Sequence, residues 1–103
     1  MKELLTDIRR WRDDGERVVV ATVVGTRRSA PRPVGSSFAI AEGGALCGSV
    51  SGGCVESAIV EESVEVFESG RPKLLTYGIS DDEGWNVGLP CGGEIDVFVE
   101  RVE

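Results

Sequence analysis

Arg17-Val18-Val19-Val20-Ala21-Thr22-Val23-Val24-Gly25-Thr26 is a run dominated by β-branched and small residues. Its apolarity is continuous rather than alternating, which implies a strand covered on both faces. We read residues 17–26 as the central strand of a sheet. Upstream, residues 2–14 carry Leu4, Leu5, Ile8 and Trp11 at helical spacing with charges between them, the pattern of an amphipathic helix that Gly15 ends. Downstream, residues 37–41 and 45–50 predict two strands joined at Glu42-Gly43-Gly44 as a hairpin.

Residues 54–69 predict a second helix, with Val55, Ile59, Ser63, Val66 and Phe67 on one stripe and Gly70 and Pro72 just beyond its end. Residues 73–79 predict a fourth strand. Residues 94–101 alternate, with Ile95, Val97 and Val99 on one face and Asp96, Phe98 and Glu100 on the other. The fold class that follows is α+β: a single domain over residues 1–103, with one mixed sheet of about five strands and two helices.

Composition narrows the function. The formal net charge is −7, which argues against nucleic acid as the main partner. No apolar run reaches the length of a membrane span, and the charged N-terminal residues do not form a signal peptide, so the expected location is the cytoplasm. Three cysteines fit a reducing compartment better than a disulfide framework. The sequence contains no histidine, which removes histidine-based triads, histidine general bases and His-containing zinc sites.

Three segments carry residues suited to binding. Residues 27–35 place Arg27, Arg28 and Arg32 in a loop stiffened by Pro31 and Pro33, where guanidinium groups are held for an anion or form a solvated basic loop. Gly48-Ser49-Val50-Ser51-Gly52-Gly53-Cys54-Val55-Glu56 is a glycine turn opening into a helix. Such a turn either cradles an anion on helix-terminal N–H groups or is a tight strand-to-helix connection without a ligand. Cys91-Gly92-Gly93 ends a long loop over residues 80–93, and its glycines leave the Cys91 sulfur open as a nucleophile or soft-metal ligand. Cys47, inside a strand, reads as core, and Trp11 as part of a helix stripe, whereas Trp85 in the long loop could line a pocket or an interface. Ser29, Ser36, Ser37 and Ser51 could serve as hydroxyl ligands, but no base is visible to activate a serine nucleophile. Glu56 and the other glutamates of the second helix read as a solvated face.

Three blocks together resemble the N-terminal domain of the XdhC/CoxI family: residues 20–35 with Ser29-Ala30-Pro31-Arg32, residues 48–56, and Cys91-Gly92-Gly93. The resemblance runs over essentially the whole chain. It implies an accessory protein for molybdenum hydroxylases related to xanthine dehydrogenase and carbon monoxide dehydrogenase. Such a protein binds the molybdenum cofactor (molybdopterin) transiently and passes it to the apoenzyme, with no catalytic residues of its own. By the same resemblance Ser29, Arg32, Ser51, Gly52, Gly53, Cys54, Glu56, Cys91, Gly92 and Gly93 would bind the cofactor, with Cys91 nearest the metal. The chain departs from the family pattern at Ser51, where many members have glycine, and at Phe38, near which they have methionine. Larger members add a C-terminal Rossmann-like domain, and none is expected within residues 1–103.

The expected partners are the hydroxylase apoenzyme, a separately encoded Rossmann-like protein, a cysteine desulfurase and further copies of the chain, with no nucleic acid and no membrane. Two other readings stay open: a redox or sulfur-transfer enzyme using Cys91, and a structural module that self-associates.

Overall fold

The computed structural model describes residues 2–27, 33–50, 55–78 and 94–102. Among them are α1 (Lys2–Asp13), β1 (Val18–Arg27), β2 (Ser37–Ala41), β3 (Leu46–Gly48), α2 (Glu56–Ser69), β4 (Lys73–Gly78) and β5 (Glu94–Arg101). The strands form one sheet in the order β3-β2-β1-β5-β4, so β1 is central as its composition predicts.

The fold class is α+β, with five strands and two helices among the described residues, but the sheet is antiparallel throughout rather than mixed. The reason lies in α2. It carries the chain from one edge strand, β3, to the other, β4; these two run in the same direction but are separated by three strands. No two neighbours are therefore parallel.

Continuous apolarity along β1 serves two layers. Val19, Ala21 and Val23 join Phe38, Ile40, Ile59, Val66 and the alternate residues Ile95, Val97 and Val99 in a core beneath α2. Val18 belongs to a smaller core on the opposite face, with Leu4, Trp11, Ala39 and Ala41 beneath α1. The sheet is thus sandwiched between single helices, α1 over β1–β3 and α2 over β1 and β5. The predicted α2 stripe is buried in full, Val55 and Ser63 included. In α1, Leu4 and Trp11 are buried but Leu5 is exposed, because one turn of a helix can aim only part of a broad stripe at the sheet.

Element ends move by at most two residues from expectation. Arg17 stays outside β1 because its side chain turns to Glu42 and to the Phe67 carbonyl. α1 stops at Asp13, with Gly15 at φ 86° beyond it. β3 ends at Gly48, whose φ of 85° takes the backbone off the pleat. α2 begins at Glu56, not Cys54, with Val55 as a non-helical cap at φ −119° and ψ 0°. Ile79, expected to end β4, lies outside the described residues. The β2–β3 hairpin closes at Glu42-Gly43-Gly44 as expected, with the Gly44 N–H donating to the Ala41 carbonyl at 2.9 Å.

The far end of α2 shows why its sequence needs help. Its last turn has no basic residue to balance the carbonyl end of the helix dipole. Two arginines from outside the helix supply it: Arg17 and Arg101 both donate to the Phe67 carbonyl, at 2.7 and 3.0 Å. Gly70, at φ 72°, closes the helix by donating its N–H to the Val66 carbonyl.

Candidate functional site

The strand registers place the candidate segments. Arg27, the last residue of β1, pairs with Glu94, the first of β5, and Gly78, the last of β4, also pairs with Glu94. Gly48, the last of β3, pairs with Phe38 near the start of β2, at the same end of the sheet. α2 runs from this end toward the other. Residues 28–32, 51–54 and 79–93 therefore each leave and rejoin the described fold at one end of the sheet. Ser29, Arg32, Ser51, Gly52, Gly53, Cys54, Cys91, Gly92 and Gly93 fall in these segments and lie outside the described residues, as does Trp85.

Of the residues that the family resemblance assigns to the cofactor, Glu56 alone lies inside the described fold. It is half-buried, and its position in the first turn of α2 suits a carboxylate beside the positive helix end. Its Oε2 accepts hydrogen bonds from the Ser49 hydroxyl at 2.7 Å and from the Val50 N–H at 2.9 Å. The solvated face expected for Glu56 is thus replaced by a clamp between the chain leaving β3 and the helix that follows. Sequence reasoning missed Ser49. The signal available was a hydroxyl residue flanking the glycines, with a carboxylate opening the helix on their other side.

Two further features shape this end. A β-bulge falls between Val23 and Gly25, displacing the end of β1 relative to β5. A Cβ at Gly25 would stand 2.8 Å from Asp96 Oδ2, so glycine is what permits the close approach, and Asp96 Oδ1 accepts from the Thr76 hydroxyl at 2.8 Å. Val55 supplies no side-chain hydrogen bond to the start of α2.

Cys47 is half-buried in β3 and packs against the core beneath α1, in keeping with a structural role. Among the described residues no group of three Cys, Asp or Glu side chains is arranged to hold a metal ion, and no helix is long and apolar enough to cross a membrane.

An antiparallel sheet between single helices, with its glycine- and cysteine-bearing connections entering and leaving at one end, defines a small scaffold domain. Residues 11–78 match the model of the XdhC and CoxI family, and the chain belongs to that family. It is 39% identical over 89 residues to the molybdenum cofactor insertion chaperone PaoD of Escherichia coli K12, a match covering 85% of this chain and 27% of the relative. It is 34% identical over 92 residues to a probable xanthine dehydrogenase subunit of Bacillus subtilis 168, covering 87% of this chain and 28% of that protein. A crystal structure described as a xanthine dehydrogenase from Bacillus halodurans superposes with a TM-score of 0.78 at 27% identity, over 92% of this chain and 29% of that one. The chain therefore spans under a third of the length of these relatives.

Proposed function

We propose that this chain binds the molybdenum cofactor as cargo and assists its insertion into an apo-hydroxylase of the xanthine dehydrogenase type. The observation that carries the reading is the 39% identity, over most of the chain, to a protein named as a molybdenum cofactor insertion chaperone. The strand registers support it, because they bring the flanks of all three motif segments to one end of the sheet.

The residue chemistry fits the cargo, which presents a phosphate and a sulfur-ligated metal. Arg27, Arg28 and Arg32 would bind the phosphate, arginine being suited to paired contacts with its oxygens. The N–H groups of Ser51-Gly52-Gly53-Cys54 and the start of α2 would add donors at the positive end of the helix. Ser29 would add a hydroxyl. Cys91, followed by Gly92 and Gly93, would hold the metal side through a soft thiolate, a form that arginines bound to the same cargo would favour. The cofactor supplies its redox chemistry only in the recipient enzyme, so the chain's work is to hold, shield and release it. The proposed partners are the hydroxylase apoenzyme, a Rossmann-like protein, a cysteine desulfurase and further copies of the chain, in the cytoplasm.

The test is retention. Purified chain is mixed anaerobically with released molybdenum cofactor and desalted, and molybdenum and pterin are measured in the protein fraction. Near-stoichiometric retention of both is expected. Retention no greater than that of an unrelated acidic protein contradicts the proposal.

A further inference from the structure

A second surface lies at the other end of the molecule. Neighbouring strands are about 4.8 Å apart, so the outer strands of a five-stranded sheet are separated by roughly 19 Å, whereas one helix is only about 10 Å across. α2 packs over β1 and β5, and among the described residues no helix covers the strip of the same face above β2 and β3. A groove of about 320 Å³ occupies it. Ile40 and Leu46 are register partners and both line the groove from the sheet, while Val60, Val64 and Phe67 line it from α2. Leu46 and Val64, on its two sides, are 52% and 57% exposed and flank the same apolar floor.

We propose that this groove is a docking slot for an amphipathic helix of a partner protein, apolar on one face and flanked by lysine or arginine. The width of the strip suits a helix lying beside α2. Strand addition at β3 is the poorer alternative, because that edge offers three residues before Gly48 turns the backbone away.

Charge selects the partner. α2 carries five glutamates and no lysine or arginine. Glu62 and Glu65, on the side toward β4, are bridged by Lys73. Glu68 lines the groove, and Glu61 follows it by helical spacing along the outer shoulder of α2. At the end of the groove, Arg17 is already engaged by Glu42. A second α2 laid in this slot would oppose glutamate to glutamate, whereas a basic flank would meet Glu61 and Glu68. Arg17, Glu42 and Phe67 lie toward the end of the sheet opposite Arg27, Gly48, Gly78 and Glu94. A helix docked there would leave the proposed cargo end open, and the inference does not depend on what that end binds.

The probe is a synthetic helix of about four turns, with leucines spaced for one face and lysines on both flanks, beside a counterpart with glutamate in place of lysine. Both are titrated into the full isotopically labelled chain and followed by amide chemical shifts. The lysine peptide is expected to give saturable shifts centred on Leu46, Val60 and Val64, and to bind about tenfold or more tighter than the glutamate peptide. Leu46→Lys and Val64→Lys replace exposed side chains; each should weaken binding by about tenfold while leaving the melting temperature within a few degrees of wild type. Absent saturable shifts, shifts centred on α1, or equal affinity for the two peptides would overturn the proposal. So would a wild-type dimer, seen by sedimentation, that Val64→Lys dissociates, since the occupant would then be a second copy of the chain.

Discussion

The Glu56 carboxylate accepts a hydrogen bond from the Ser49 hydroxyl at 2.7 Å, joining the exit of β3 to the first turn of α2. The same oxygen takes the Val50 N–H, so one side chain satisfies two donors on the far side of the glycine turn. Val50 and Val55, which flank that turn, are both fully buried beneath α2. The turn is therefore anchored at both ends by packing and tied across by a carboxylate. This gives Glu56 a positioning role that does not require contact with a ligand.

Glu56→Ala should lower unfolding stability by about 1–3 kcal/mol, since two donors lose a charged acceptor and the helix loses its N-terminal carboxylate. Glu56→Gln keeps an acceptor oxygen and should lose less than half as much. Urea unfolding of the three proteins measures the difference. Equal losses for Ala and Gln would mean that charge, rather than the hydrogen-bonded tie, stabilises the turn.

Tyr77 is the single tyrosine of the chain, so its ionisation can be followed by ultraviolet absorbance without assignment. Burial disfavours the phenolate, with Glu62 adding to the effect, and together they push its pKa from 10.0 to about 12. A folded-state pKa raised in this way contributes stability that is full below pH 10 and is lost as pH rises toward 12. The folded protein should titrate near the upper value and the urea-unfolded protein near the lower one. A folded midpoint at the ordinary value would place the hydroxyl in solvent and contradict the packing of Tyr77 beneath α2.

Cys47 and the Cys91 thiol should differ in reactivity. Cys47 is half-buried in β3 against the core beneath α1, while Cys91 precedes two glycines. Brief alkylation followed by peptide mapping should find Cys91 modified well before Cys47. If Cys47 reacts first and Cys91 only after unfolding, the assignment of the two is reversed.

Most of the framework was legible because it rests on local pattern. The unbroken apolarity of β1 marked a strand with two covered faces, and the alternation of Ile95, Val97 and Val99 marked a strand with one. The α2 stripe from Val55 to Phe67 predicted its buried face residue by residue. Strand direction was not legible, because it depends on which edge α2 carries the chain to, and no local spacing records that. Leu5 was misplaced for a related reason: periodicity shows an apolar stripe but not how much of it a single sheet can cover. At the candidate site, the residue types of Arg32, Gly52, Gly53 and Cys91 pointed to an anion-and-thiol chemistry. The tie from Glu56 to Ser49 was hidden because glutamate at a helix start reads equally well as a solvated charge.

The central claim is that the arginine loop and the cysteine loop serve one binding site, and a double-mutant cycle on Arg32 and Cys91 tests it most directly. The pairing of Arg27 with Glu94 places the stems of these two segments side by side, although they lie far apart in sequence. Affinity for the molybdenum cofactor is measured for wild type, Arg32→Ala, Cys91→Ser and the double variant, each first shown to be folded. Both single variants should weaken binding, and the double variant should cost less than their sum by about 0.5–3 kcal/mol, the coupling expected of residues sharing a site. Losses that add to within about 0.3 kcal/mol would place the two residues in separate sites and contradict the account.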